Sequence, residues 1–141
     1  MTVTLDHTIV HVRDSAATAD FLVRMLDLPP WTRLAHFTAV RLGETSLDLI
    51  ETGDEIASRH FAFRVSEAAF RAVLEQLTAE GRPFWADPFR RNPGRINTWD
   101  GGLGAYFDDP NGHLLEVLTK PYVSAGLTPE DPAVVFADRA T

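Results

Sequence analysis

The sequence predicts an α+β fold in which two βαβββ modules form a cupped eight-stranded mixed sheet with helices outside. Three observations predict it. Placing His7 over His60 and reading forward without a gap superposes two similar segments. Both begin with strict apolar/polar alternation, His7-Thr-Ile-Val-His-Val-Arg-Asp14 and His60-Phe-Ala-Phe-Arg-Val-Ser-Glu67, the period of a strand. Both then switch to helical spacing and end in short apolar runs separated by turn residues.

In the first module, residues 1–56, the spacing of Ala17, Phe21, Leu22 and Met25 predicts a helix. Asp14 or Ser15 caps it and Leu28-Pro29-Pro30 stops it. Three strands follow, Trp31 to Ala35, Phe37 to Leu42, and Ser46 to Glu51 beyond the Gly43-Glu44 turn. In the second module, residues 57–120, the matching helical stripe is Ala69, Phe70, Val73, Leu74 and Leu77, with Gly81 at its end. Its later strands are Pro83 to Ala86, Gly104 to Phe107 and His113 to Leu118, the last after the Asp109-Pro-Asn-Gly112 turn. Between Asp87 and Gly102 lies a longer insert, a length more often used as a lid or binding loop than as filler. Residues 121–141 read as a weakly periodic C-terminal tail. One βαβββ unit is too small to bury both faces of its sheet, so the two pair into a single domain spanning 1–141.

Composition excludes several chemistries. With 141 residues and 45% apolar content, the chain buries roughly two-thirds of its unfolded surface and needs neither disulfide nor metal to fold. The absence of cysteine removes thiolate zinc sites, iron–sulfur clusters and thiol nucleophiles. Twenty acidic against 13 basic residues give a net charge of −7, which argues against nucleic-acid or anionic-membrane partners. Met1 to His7 has no basic region leading into an apolar core, and no stretch has the apolar length of a bilayer span. The expectation is a soluble cytoplasmic protein.

Strand parity gathers the candidate chemistry on the concave face. His7, Ile9 and His11 point one way on the first strand; His60, Ala62 and Arg64 do so on the fifth, and Leu114, Glu116 and Leu118 on the last. Because the repeat superposes His7 on His60, the two imidazoles occupy equivalent places. Glu116 sits among Leu114, Leu115, Val117 and Leu118, where a carboxylate needs a cation or several donors. A divalent metal is the simplest such partner. Asp48, its counterpart in the first module, is a candidate fourth ligand or a group supporting one. Two imidazoles and one carboxylate are used by non-haem Fe(II) oxygenases and also by catalytic zinc, so the set leaves the metal open.

Leu5-Asp-His7, Arg59-His-Phe-Ala-Phe63 and Tyr106-Phe-Asp-Asp-Pro-Asn-Gly-His-Leu-Leu-Glu116 together resemble the vicinal oxygen chelate superfamily, which holds glyoxalase I, extradiol dioxygenases, fosfomycin-resistance transferases, methylmalonyl-CoA epimerase and bleomycin-binding proteins. The resemblance implies that His7, His60 and Glu116 hold a metal and that the protein is a homodimer. The closing segment is similar to the extradiol dioxygenase signature at Tyr106, Asp109, Pro110, Gly112 and Glu116, which implies that Tyr106 hydrogen-bonds a metal-bound substrate oxygen. It departs from that signature in having Asn97, Thr98 and Trp99 where a histidine is usual, leaving His11 or His36 as acid–base candidates. Arg59 through Tyr122 is also similar to a small subgroup typified by the oxidase of chartreusin biosynthesis. That likeness implies Fe(II), with Mn, Ni or Zn as alternatives, reduced flavin as an external oxygen activator, and a flavin reductase as partner.

The leading expectation is a non-haem Fe(II)-dependent oxygenase that cleaves or rearranges a catecholic or polycyclic polyketide substrate. Arg64, Arg95, Asn97 and Trp99 are candidates for the substrate pocket, Trp31 and Phe37 for its apolar walls, and Arg90 and Arg91 for meeting an anionic group. The alternatives are a divalent-metal lyase or isomerase of the glyoxalase or epimerase kind, which Asp48 favours, and a non-catalytic antibiotic-binding protein.

Overall fold

The computed structural model describes residues 2–122 and 134–135. Its secondary structure follows the doubled βαβββ order, as β1 (His7–Val12), α1 (Ser15–Leu26), β2 (Thr32–Leu34), β3 (Phe37–Leu42), β4 (Thr45–Glu51), β5 (His60–Arg64), α2 (Glu67–Ala79), β6 (Arg95–Ile96), β7 (Gly104–Asp108), β8 (Leu114–Leu118) and β9 (Val134–Val135). The α+β class is the one the repeat predicts. Among the described residues the strands hydrogen-bond as a sheet of four, β1-β4-β3-β2, a sheet of three, β5-β8-β7, and the pair β6-β9, where the sequence predicts one sheet of eight. Two compact units result, Met1–Ser58 with Asp109–Asn111, and Arg59–Asp108 with Gly112–Thr141.

In the first unit β1 runs parallel to β4 and antiparallel ladders join β4 to β3 and β3 to β2. Asp14 caps α1 by accepting from the Ala17 amide at 3.0 Å. The helix ends earlier than the prolines require, because Asp27 turns left-handed at φ 51°. Its apolar stripe, Ala19, Phe21, Leu22 and Met25, is buried. So is the alternate set of strand residues, Val10 and Val12 on β1, Leu47 and Leu49 on β4, and Val40 on β3. The other sheet face carries His7, Ile9 and His11. The 109–111 turn is fastened to this unit by Asn111, which accepts from the Arg13 amide at 2.9 Å and donates to the Thr18 hydroxyl at 3.0 Å.

In the second unit β5 is parallel to β8 and β7 antiparallel to it. Ser66 caps α2 through the Ala69 amide at 3.1 Å, and Gly81, at φ +67°, supplies the left-handed residue beyond its end. Phe70, Val73, Leu74 and Leu77 of α2 are buried, as are Leu115, Val117, Ala105 and Phe107 of the sheet.

The strand expected over Pro83–Ala86 shrinks to bridges at Trp85, which exchanges two 2.8 Å hydrogen bonds with Tyr106. Pro83 has no amide to give a ladder, and the opposite side of the segment is taken by Gly94, whose amide donates to Phe84 at 2.8 Å. The insert after Asp87 is a tied loop: the Asp87 carboxylate accepts from the amides of Phe89, Arg91 and Asn92 and from the Asn92 side chain. Pro121 and Tyr122 are described. The rest of the tail expectation, apart from β9, lies outside the described residues. Among the described residues no helix is long and apolar enough to cross a membrane.

Candidate metal centre

The register of the second sheet decides which side chains meet. His60 pairs with Leu114 and Ala62 with Glu116, while Tyr106 pairs with Glu116 from the other side. Paired residues share a sheet face, so His60, Glu116 and Tyr106 project together, away from the α2-side apolar set.

Glu116 is 2% exposed. One carboxylate oxygen, Oε1, lies 3.1 Å from His60 Nε2, and the other, Oε2, accepts a short hydrogen bond from the Tyr122 hydroxyl. His60 Nδ1 lies 2.9 Å from the Leu114 carbonyl. A carbonyl only accepts, so Nδ1 carries a proton, and Nε2 is the ring nitrogen that faces the carboxylate oxygen. A proton on Nε2 or a cation beside it would join that nitrogen to the carboxylate oxygen. The 3.1 Å separation is that of a hydrogen bond, and it is also short enough for the nitrogen and the oxygen to share one ion. His60 is half-exposed on its side chain, 47% against 3% for Glu116, so one flank of the pair is open.

Aromatic groups wall the carboxylate. Tyr106 stacks on His60 with centroids 5.9 Å apart and planes at 21°. Trp99 meets Tyr106 edge-on at 6.3 Å and Tyr122 at 5.9 Å. Burial first, and then the charge of Glu116, pushes the Tyr106 phenol well above the ordinary phenol range. Burial and its hydrogen bond to Glu116 do the same for Tyr122. Both shifts favour the neutral phenol, and Tyr122 is the one seen donating to Glu116.

The first unit carries the counterpart. His7 Nδ1 lies 2.7 Å from Asp6 Oδ2, and Asp48 Oδ1 accepts from the Ser46 hydroxyl at 2.7 Å. The Asp6 hydrogen bond, with Coulombic help from Asp48 and Asp6, raises the His7 pKa against a smaller opposing effect of desolvation. His7 and Asp48 border a groove of about 530 Å³ whose apolar side is Leu34, Ala35 and Phe37. A carboxylate or carbonyl on Nδ1 is the common way of fixing a ligating histidine's tautomer, and in each module Nδ1 is occupied, by Asp6 at His7 and by the Leu114 carbonyl at His60. Among the described residues no group of three or more His, Asp or Glu side chains is gathered at one point.

The remaining candidates separate. His11 is exposed on the His7 face of β1, and Arg64 on the His60 face of β5, each four residues, or about 13 Å, along the strand from the histidine. Arg95 is exposed on β6. Asn97 faces inward: it is buried, its side-chain amide donates to the Ala86 carbonyl at 2.8 Å, and its Oδ1 accepts from the Trp99 amide. The packing is tight enough that a Cβ on Gly104 would stand 2.7 Å from Asn97 Oδ1. Asn97 thus clamps the loop that presents Trp99. Arg90 does not wait for an anionic ligand: it lies over Trp85 and is paired with Asp108 at 2.5 Å. Arg91 lies over Phe89. His36 is exposed, and Trp31 donates to Asp20 at 2.7 Å. Two residues to which the sequence assigns no role join the site, Asp6 and Tyr122.

A family model described as the Glyoxalase/Bleomycin resistance protein/Dioxygenase superfamily matches residues 4–117. Among solved structures, the chain is similar to oxidase ChaP-H2, with 45% identity over 89% of this chain and 100% of that one and a TM-score of 0.84. It is also similar to oxidase ChaP-H1, with 40% identity over 87% and 100% and the same TM-score. The fosfomycin resistance protein FosX from Mesorhizobium loti, at 22% identity over 86% of this chain and 95% of that one, shares the fold with a TM-score of 0.64. No curated protein sequence matches the chain.

Proposed function

The chain belongs to the glyoxalase/bleomycin resistance protein/dioxygenase superfamily, and on that premise we propose that it is a metal-dependent oxidase or oxygenase acting on a flat aromatic substrate with adjacent oxygens, catecholic or polycyclic polyketide in kind. The observation that carries the proposal is the buried Glu116 carboxylate facing His60 Nε2 at 3.1 Å while Nδ1 is engaged by the Leu114 carbonyl, which sets one nitrogen and one oxygen side by side where a cation could take both. Two similar structures at 40% and 45% identity are named oxidases, which favours oxygen chemistry over the lyase reading.

In this proposal His60 and Glu116 are ligands of Fe(II), with Mn, Ni or Zn as alternative ions. His7 enters the set as the first-module counterpart of His60, supplied by the same chain or by a second copy in a homodimer. Asp48, the counterpart of Glu116, either joins as a fourth ligand or holds its neighbours through Ser46. When bound, Fe(II) supplies the Lewis acidity that favours an ionised substrate phenol and the electron that ground-state dioxygen requires. The protein residues do the rest. Tyr106 donates its proton in a hydrogen bond to a substrate oxygen, holding it beside His60. Trp99 and Tyr122 exclude water from the carboxylate and offer aromatic surface to a flat ring, and Arg64 and Arg95 meet its polar rim. His11 is the acid–base residue of the first module. Reduced flavin, delivered by a reductase, is the proposed external oxygen activator.

The test is turnover of a panel of catechols and polycyclic hydroquinones by Fe(II)-loaded protein, with oxygen uptake recorded. Substrate loss matched by oxygen uptake, and abolished together with iron binding in His60→Ala, supports the reading. Turnover that persists without oxygen assigns the chain to the lyase or isomerase class, and ligand binding with neither product nor metal dependence to the antibiotic-binding class.

A further inference from the structure

The two oxygens of Glu116 have different partners: Oε1 faces His60 Nε2 at 3.1 Å, and Oε2 accepts from the Tyr122 hydroxyl. The cause is a return of the backbone after β8. Thr119 donates its amide to the Leu103 carbonyl at 3.0 Å and accepts from the Leu103 amide through its hydroxyl at 2.9 Å. Lys120-Pro121 then turns the chain so that Tyr122, six residues beyond Glu116, reaches back to it. The Tyr122 ring is seated edge-on against Trp99 at 5.9 Å, and Trp99 is itself fixed through its amide by the buried Asn97. The hydroxyl is therefore placed by a packed ring and a tied turn, and its hydrogen bond falls on Oε2, the oxygen turned away from His60.

We propose that Tyr122 is a positioning residue that makes Glu116 a one-oxygen ligand, holding Oε2 so that only Oε1, beside His60 Nε2, is presented to the metal. This rests on the reading of His60 and Glu116 as ligands. A carboxylate free to rotate can take an ion through both oxygens and fill two positions; one pinned by a phenol fills one, and the position saved stays open to substrate or oxygen. The phenol also freezes the rotation of Glu116 before the metal arrives, which lowers the entropy lost on binding.

The test is titration of Co(II) into metal-free wild type, Tyr122→Phe and Glu116→Ala, followed by visible absorption, which reports both affinity and coordination number. The phenylalanine keeps the ring on Trp99 and removes only the hydroxyl. The expected result is Co(II) bound by wild type, a loss of about 10-fold or more in affinity in Tyr122→Phe, the range for removing a group that orients a ligand, and a changed d–d band as Oε2 is released. Wild type that binds no Co(II) overturns the metal reading itself. Wild-type binding with an identical affinity and spectrum in Tyr122→Phe overturns the role of Tyr122 and leaves the metal reading standing.

A second measurement needs no change at Tyr122. The chain has two tyrosines, so 3-fluorotyrosine in a Tyr106→Phe background reports Tyr122 alone by fluorine NMR. Its resonance is expected to move when Zn(II) is added; a resonance unmoved at saturating Zn(II) overturns the proposal.

Discussion

Glu116→Gln separates what the carboxylate does for the fold from what it does for a metal. The amide has nearly the volume of the acid, so no cavity forms. Its oxygen can accept from Tyr122. The Tyr122 contact survives as a neutral hydrogen bond, weaker than a charge-assisted one by about 1–1.5 kcal/mol, while the cost of burying a charge at a position 2% exposed disappears. The metal-free variant should lie within about 1.5 kcal/mol of wild type. Metal is different, since a neutral amide is a poor ligand. At an ion concentration 100 times Kd, binding stabilises wild type by about 2.7 kcal/mol. For a chain of 141 residues that corresponds to a rise in Tm of about 10 °C. Differential scanning calorimetry with and without Mn(II) should show this rise in wild type and none in Glu116→Gln. An equal rise in both would refute the assignment of Glu116 as a ligand. A metal-free variant destabilised by more than about 3 kcal/mol would instead make the carboxylate a structural group.

Asn97→Ala should lower stability in urea by about 2–3 kcal/mol, because it orphans the buried Ala86 carbonyl and frees the Trp99 loop; a loss below about 0.5 kcal/mol would contradict the clamp. The His7 titration, followed by NMR in metal-free protein, should have its midpoint above the ordinary 6.5 and fall in Asp6→Asn, since the Asp6 hydrogen bond is the largest cause of the shift. With the folded-state value raised, the His7–Asp6 contact favours the folded state below pH 6.5, and that contribution fades as pH rises through the raised value. A midpoint unchanged by Asp6→Asn would show that Asp6 does not hold the imidazole in solution.

The doubled fold is legible because strand parity and helical spacing survive in both copies: one ungapped alignment of His7 on His60 carries the strand order and also the equivalence of Asp48 and Glu116, which the registers Ile9 to Asp48 and Ala62 to Glu116 reproduce. Parity also places His60 and Glu116 on one face, since a strand offers only two. Loops offer no such rule. Asn97 reads as a pocket residue because nothing in an aperiodic insert says which way a side chain points, and the structure turns it inward. Arg90 looks like a free cation until Asp108, 18 residues away, is brought beside it. Tyr122 and Asp6 have no periodic signal at all. Tyr122 depends on the turn through Thr119 to Pro121, and Asp6 on the rotamer of a residue one step before the strand. The short Pro83–Ala86 segment pairs with β7 only at Trp85, because Pro83 has no amide to give and the Phe84 carbonyl accepts from the Gly94 amide of the insert, a partner invisible in its own four residues.

The central claim, that the histidine–glutamate pair belongs to an oxygen-binding iron centre, is tested most directly by electron paramagnetic resonance of protein loaded anaerobically with Fe(II) and exposed to nitric oxide, which binds where oxygen would. The account predicts a high-spin iron–nitrosyl signal in wild type that is lost in Glu116→Ala. No signal in iron-loaded wild type, or an undiminished signal in the variant, would contradict it.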